Sequence, residues 1–253
     1  MATADDRTAR EAQFHDEAFS DQRRSHLWSS YYLVVRSSDR FYERYLTERC
    51  QGRETLEYGC GMHSRAFLLA DRGAASVTGI DISPVAVEEE STRARREGYE
   101  QVDFRVMNAE QLEFADDSFD LICGTSVIHH LELDRAYAEL ARVLRPGGSA
   151  IFVEPLGHNP LINLFRRRTP TLRTPDEHPL MMRDLAAAER HFGVVRARFF
   201  HLASLLAVPL RGSAAFENAL ELFENTDRAL FRTLPFARRY AWQVAIEFSR
   251  PAG

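Results

Sequence analysis

The sequence predicts an α/β fold built on a parallel sheet. Three observations predict it. A short apolar run at 55–58 breaks into Gly59-Cys60-Gly61, and a helical pattern follows over about 64–70. The same succession of strand, turn and helix returns at 76–83, where Pro84 opens the next helical stretch. Strands that alternate with helices lie in parallel sheets with helices against their faces. The chain has 253 residues, 45% of them apolar, which is enough for one domain with a full core.

Taken in order, residues 8–49 read as helical in pieces: a polar one over 8–19, an apolar one over 26–35 carrying Trp28, Tyr31 and Tyr32, and a third over 39–50 with Phe41, Tyr42, Tyr45 and Leu46 at helical spacing. Asp39 is the expected cap of the third. Most of these rings should pack on the main domain, and Tyr31 and Tyr32 are retained as pocket candidates. In the first strand and turn, Glu57 precedes Gly59, which can make a tight turn, and Gly61, which lets a ligand approach the backbone. The following helix aims unpaired N–H groups at whatever sits there. Gly73 stops that helix, and strand 76–83 follows with Asp81, 20 residues after Gly61. An acid at that place can accept both hydroxyls of a nucleotide ribose. Ser83 should cap the helix that Pro84 begins, and Glu88-Glu89-Glu90 on it reads as a solvated face.

The third strand is expected at 101–106, leading into Asn108-Ala109-Glu110, and a turn at 114–118 leads to a fourth strand at 119–123. Arg142–Gly148 reads as a helix end and turn before a fifth strand at 149–154. The Pro- and Arg-rich stretch 155–179 is either a solvated surface or, functionally, a lid or an anion-contacting pocket wall. A helix is expected over 183–192 and strands over 194–200 and 241–249. Between the last two, Phe216, Leu220, Phe223, Leu230 and Phe231 recur at helical spacing, which marks an inserted helical element.

Glu57-x-Gly59-x-Gly61 resembles motif I of class I S-adenosylmethionine (SAM)-dependent methyltransferases. Asp81, the Asn108 loop, the phrase from Asp117 to Leu131 and Arg142-Val-Leu-Arg-Pro-Gly-Gly148 resemble the family's later motifs, in order and spacing, over about residues 50–155. The resemblance implies a Rossmann-like, seven-stranded, mostly parallel sheet with SAM at the carboxyl ends of its strands. It implies that Glu57, Gly59 and Gly61 approach the methionine part, and that Asp81 takes the ribose with Ile82 against the adenine. Asn108, Ala109 and Glu110 would take the adenine edge, and Gly124 and Thr125 would lie near the sulfonium. Apart from the resemblance, the aromatic density around it makes Tyr31 a further candidate cofactor contact. The helical element and the N-terminal helices would then form a discontinuous cap on a single domain.

Methyl transfer to a hydroxyl, amine or acidic carbon must release a proton, and a neutral histidine is a natural base near pH 7. His129 and His130 follow strand four, with His129 placed first. An unshifted histidine base would give an acid limb near pH 6.5. Glu154, at the end of strand five, is a second base or an orienting group, and His158 and His178 rank below it. No metal-ligand spacing emerges, so no metal is expected. The chain contains no lysine, which excludes Schiff-base and pyridoxal-phosphate chemistry. The net charge of -5 without a basic face argues against nucleic acid. Three scattered cysteines and a polar N-terminus suit a reducing cytoplasm, with no membrane insertion. The expected acceptor is a small apolar or amphipathic metabolite, as in bacterial secondary metabolism or quinone synthesis, handled by a monomer or homodimer. An NAD-dependent oxidoreductase is opposed by Ser64, which stands where the dinucleotide fingerprint has Gly or Ala. A SAM-binding accessory protein or a SAM-using cyclase stays open.

Overall fold

The computed structural model describes residues 7, 10–14, 16, 34–170, 174 and 177–250. Tyr31, Tyr32 and most of the apolar piece expected over 26–35 lie outside them. Arg7, Arg10 to Phe14 and Asp16 are helical. Helix α1 spans Arg36–Arg49 and buries Ser38, Tyr42, Tyr45 and Leu46. It begins before Asp39, so Asp39 is not its cap. Val35 stands there without a side-chain bond, and the Ser38 hydroxyl instead donates to the Val35 carbonyl at 2.8 Å.

The strands are β1 (Glu54–Tyr58), β2 (Ser76–Asp81), β3 (Val102–Val106), β4 (Phe119–Thr125), β5 (Leu144–Pro155), β6 (Val194–Phe200) and β7 (Gln243–Ser249). Among the described residues they form one seven-stranded sheet in the order β3-β2-β1-β4-β5-β7-β6. β7 runs antiparallel to both of its neighbours, and the other pairings are parallel. β5 starts earlier than the sequence suggests. Leu144 already pairs with Phe119, and a register shift before Leu121 absorbs the Arg-Pro-Gly-Gly segment.

Helices α2 (Ala66–Asp71) and α3 (Pro84–Glu97) follow β1 and β2, and α4 (Leu133–Val143) follows β4. Ser83 caps α3 as expected, accepting from the Ala86 N–H at 3.1 Å. Side chains alternate across the strands. Leu121, Cys123, Ile151 and Val153 join Tyr42 of α1, Phe67 of α2 and Ala94 of α3 in one apolar cluster. Ile122 and Phe152 face the other way, onto Tyr137 and Leu140 of α4. Both faces of the sheet are thus covered, as a parallel sheet requires. The run of three glutamates on α3 is not a uniform solvated face: Glu90 is buried and only Glu88 and Glu89 are exposed.

After β5 come α5 (Pro160–Arg168) and the short α6 (Met182–Ala187), which passes into a 3-10 turn instead of continuing to Phe192. Between β6 and β7 lie a 3-10 stretch, Ser204–Leu210, helix α7, Phe216–Thr233, and a second 3-10 stretch, Pro235–Tyr240. β6 runs in the direction of β5, so this helical element leaves and re-enters the sheet at the edge where β1, β4 and β5 end. The Asp227 carboxylate of α7 holds it down by accepting the N–H groups of Leu202, Ala203 and Ser204 at 3.1, 2.5 and 3.1 Å. A satellite core of Val34, Ile162, Leu205, Phe216 and Leu220 ties the element to α5.

Candidate active site

The turn after β1 is built around Gly59, whose φ is 70°. A Cβ there would come within 2.8 Å of the Val127 side chain, so the position admits only glycine on steric as well as conformational grounds. Glu57 lies buried under this turn. Its carboxylate accepts from the Ser64 hydroxyl and from the Arg65 N–H at 2.7 Å, fastening the turn to the start of α2. Burial pushes its carboxyl up to about 7, against those bonds.

Asp81, at the tip of β2, accepts from the Gly61 N–H and from the Ser83 N–H, both at 2.9 Å. It thereby joins the glycine turn to the next strand tip, with half-buried Ile82 beside it. Past β3, the Asn108 side chain accepts from the Glu110 N–H at 2.9 Å, and the Tyr58 hydroxyl donates to the Ala109 carbonyl. Glu110 is engaged by Arg7 and by the Glu132 N–H at 2.7 Å. At β4, a Cβ on Gly124 would meet the Tyr58 carbonyl at 2.8 Å and the Phe152 ring at 2.7 Å, while Thr125 is exposed at the strand end. The predicted cofactor residues of strands one to four therefore share one edge of the sheet. Glu57, Glu110 and Gly124 serve its internal framework there.

The histidine pair stands on the same edge, in a 3-10 turn, Ile128–His130, directly after β4. Glu154, wholly buried at the end of β5, shapes this turn. One of its oxygens accepts from the Val127 and Ile128 N–H groups at 2.9 and 3.1 Å, and the other lies 2.7 Å from His129 Nδ1. Burial lowers the His129 pKa well below the usual histidine value, with neighbouring His130 acting in the same direction, so the ring is neutral. A neutral ring that donates from Nδ1 to Glu154 keeps Nε2 as an acceptor. Glu154 is itself pushed up to about 7 by burial.

Nε2 of His129 faces Glu177 Oε1 at 3.8 Å, and Arg166 donates to that same oxygen at 3.0 Å. The His130 ring lies 4.1 Å from that of His129, centroid to centroid, and its Nδ1 is 3.2 Å from Glu11 Oε2. Glu11 also accepts from the Thr174 hydroxyl at 2.5 Å. His129, His130 and Glu177 each bring one potential ligand atom within 4.8 Å of the others. Sequence spacing showed no such group because Glu177 arrives from a distant loop. Arg166 already balances the Glu177 charge. His158 stands apart, near α6, where its Nε2 accepts from the Met182 N–H at 3.3 Å. His178 contributes its N–H to the His129 carbonyl at 3.1 Å.

Sequence reasoning missed the roles of Glu11, Arg166 and Glu177. The only signal for them was the density of charge in 155–179 and an isolated acid near the N-terminus. The N-terminal helical residues cross this edge: Arg7 reaches Glu110, Glu11 reaches His130, and the Ser83 hydroxyl donates to Asp16 at 2.5 Å.

Residues 56–152 match the family model of a methyltransferase domain. Methyltransferase GfsG of Streptomyces halstedii is 40% identical over 115 residues, 45% of this chain and 41% of that protein. Aklanonic acid methyltransferase DauC of Streptomyces sp. (strain C5) is 32% identical over 139 residues, 54% of this chain and 60% of that protein. The chain spans about half the length of the curated relatives it matches. In fold it is similar to phosphoethanolamine N-methyltransferase 2 of Haemonchus contortus, solved in complex with S-adenosyl-L-methionine, with a TM-score of 0.65 at 16% identity over 94% of this chain and 60% of that one. It is also similar in fold to the YcgJ protein of Bacillus subtilis, with a TM-score of 0.58 at 22% identity over 85% of this chain and 100% of that one. Residues 56–152 thus match a methyltransferase domain, and the seven-stranded sheet to which they contribute β2 to β4 and most of β1 and β5 is the fold shared with these structures.

Proposed function

We propose that this chain transfers a methyl group from SAM to a small apolar or amphipathic metabolite, with His129 as the base. The observation that carries this reading is the juxtaposition, on one sheet edge, of the Gly59 turn, Asp81 and the Asn108 loop with a buried histidine whose free nitrogen is set by Glu154. These residues fit the cofactor. Asp81 has one N–H on each carboxylate oxygen, which leaves acceptor capacity for ribose hydroxyls. Asn108 and Ala109 stand where the adenine edge would lie. When bound, SAM supplies a methyl group already activated on a sulfonium.

The residues of the chain then have two tasks. They hold the acceptor in line in a closed site, and His129 Nε2 receives the acceptor's proton. Glu154 stabilises the imidazolium that results, and Glu177 with Arg166 closes the far side of the ring. The acceptor class is supported by an apolar cavity of about 660 Å³ between Asn159, Pro160 and Leu161, which follow β5, and Leu202, Leu205, Leu230, Leu234 and Phe236 of the helical element. The relatives named for aklanonic acid and demethylmenaquinone agree with such an acceptor. On this reading the helical element and the N-terminal helical residues roof the site, as a cap on one domain. The described residues contain no helix long and apolar enough to cross a membrane, which suits a cytoplasmic enzyme.

The test is calorimetry with S-adenosylhomocysteine and with NAD, followed by turnover on a panel of phenols, quinols and polyketides. The expected result is binding of the former alone and methylation of at least one panel member. Methylation lost in His129→Ala with cofactor affinity intact supports the base. Tight NAD binding without S-adenosylhomocysteine binding rules the proposal out. Cofactor binding with no turnover on any acceptor points to the accessory role.

A further inference from the structure

On the far side of β6 from β7, α1 and α7 enclose an open cavity of about 560 Å³. It shares no lining residue with the histidine cluster. We propose that this cavity is a second ligand site, taking a phosphate or diphosphate ester whose organic body lies on an aromatic floor.

The floor is Phe41 of α1 and Phe200 of β6, with ring centroids 5.7 Å apart. Arg198 of β6 lies over both rings, its guanidinium carbon 4.7 Å and 5.7 Å from their centroids. Stacking of this kind holds a guanidinium in place and leaves its donors in the plane free for an anion. Arg44 of α1 and Arg228 of α7 line the same cavity. Partial burial lowers the Arg198 pKa, and the like charges of Arg44 and Arg228 add to that effect.

The lining holds five arginines and four acids, and two of the acids are paired with Arg36 and Arg40, not with these three cations. Glu217 is bound by Arg36 at 2.7 and 2.9 Å, and Glu224 by Arg40 at 3.4 Å. Asp227 takes the three N–H groups after β6. Glu221 is the remaining acid of the lining. Among the described residues no carboxylate forms an ion pair with Arg198 or Arg228, and the nearest acid to Arg44 is Glu48, at 3.8 Å and one turn along α1. Three converging guanidiniums in a chain of net charge -5 are a local arrangement, not the spill of a basic surface. Forked donors of this type match phosphate oxygens bidentately.

The experiment is titration of the full chain with inorganic pyrophosphate by calorimetry, repeated at about 150 mM salt so that surface screening is uniform. One site per chain is expected. Arg198→Gln and Arg228→Gln should each weaken binding at least tenfold, and Arg183→Gln, on an exposed helix elsewhere, should leave it unchanged. Arg44 and Arg228 are exposed, so Arg44→Gln and Arg228→Gln keep the fold and decide the matter if Arg198→Gln melts early. Saturating S-adenosylhomocysteine should not alter pyrophosphate affinity. Absence of binding, equal affinity in the arginine variants, or displacement by S-adenosylhomocysteine would each overturn the assignment.

Discussion

A histidine with 4% of its surface exposed can serve as a base only if one nitrogen is held as a donor and the other is left open. Glu154 supplies the first condition, at 2.7 Å from His129 Nδ1. It does so as a positioning group, since its remaining oxygen is taken by two backbone N–H groups. Glu154→Gln keeps an acceptor for those N–H groups but sets an amide against Nδ1, favouring the wrong tautomer. We expect kcat to fall about 100-fold or more with S-adenosylhomocysteine affinity unchanged, the range typical for a lost proton-transfer partner. An equal loss of cofactor affinity in calorimetry would instead mark Glu154 as a structural support of the cleft. The lowered pKa of His129 also moves the acid limb. On the proposed reading the neutral ring is the active form, so its own protonation is felt only well below pH 6.5, while protonation of Glu154 near pH 7 removes the carboxylate that orients it. kcat/KM should therefore fall below about pH 7, and a limb near 7 that survives in Glu154→Gln would mean that another group titrates.

At the scale of elements, two joints bear on the site. Gly59 makes the turn that β1 and α2 share, and Gly59→Ala forces an L side chain into left-handed backbone, which costs about 1–2 kcal/mol before its contact with Val127 is counted. Thermal melting should show the loss, and the stabilisation by S-adenosylhomocysteine should shrink, because Val127 leads into the histidine turn. Asp227 joins α7 to the chain leaving β6 through three backbone donors. Asp227→Ala leaves those donors short of partners and should cost about 1–3 kcal/mol in urea unfolding. A change below about 0.5 kcal/mol, the range of ordinary surface substitutions, would mean the element is held by its apolar core alone.

Across the whole molecule, stability should follow pH through a second buried ring. His201 is 1% exposed, between the Ser38 hydroxyl at 2.9 Å and the Ser204 hydroxyl at 3.2 Å, and burial pushes its pKa down to about 3. Unfolded, it titrates near 6.5. Between those values the unfolded chain binds a proton that the folded chain refuses, so this residue's contribution is intact above pH 6.5 and lost progressively as pH falls toward 3. His201→Gln should flatten the acid side of the stability curve by up to about 1.4 kcal/mol per pH unit. Unfolding curves measured between pH 4 and 7 that run parallel in the two proteins would show that the ring escapes its pocket before the chain unfolds.

The sheet edge that carries the glycine turn was legible because its signals are local. A glycine pair after a short strand, an acid 20 residues on, and a serine before proline each act through neighbouring backbone, and β1, β2 and the Ser83 cap of α3 follow from them. The seven-stranded, mostly parallel sheet followed from the resemblance of those motifs, and its strand order came only with the structure. Tertiary packing decided the rest. Asp39 gave way as a cap because Ser38 turns inward to His201 and Gln243. Glu90 was drawn into the interior although its neighbours Glu88 and Glu89 stay outside, since helical position and not composition selects the buried face. Glu11, Arg166 and Glu177 reach the histidine pair from distant parts of the chain, and no spacing announces that meeting. Backbone preferences are set over a few residues and can be read there. A buried polar cluster exists only once the elements that carry it have closed on one another.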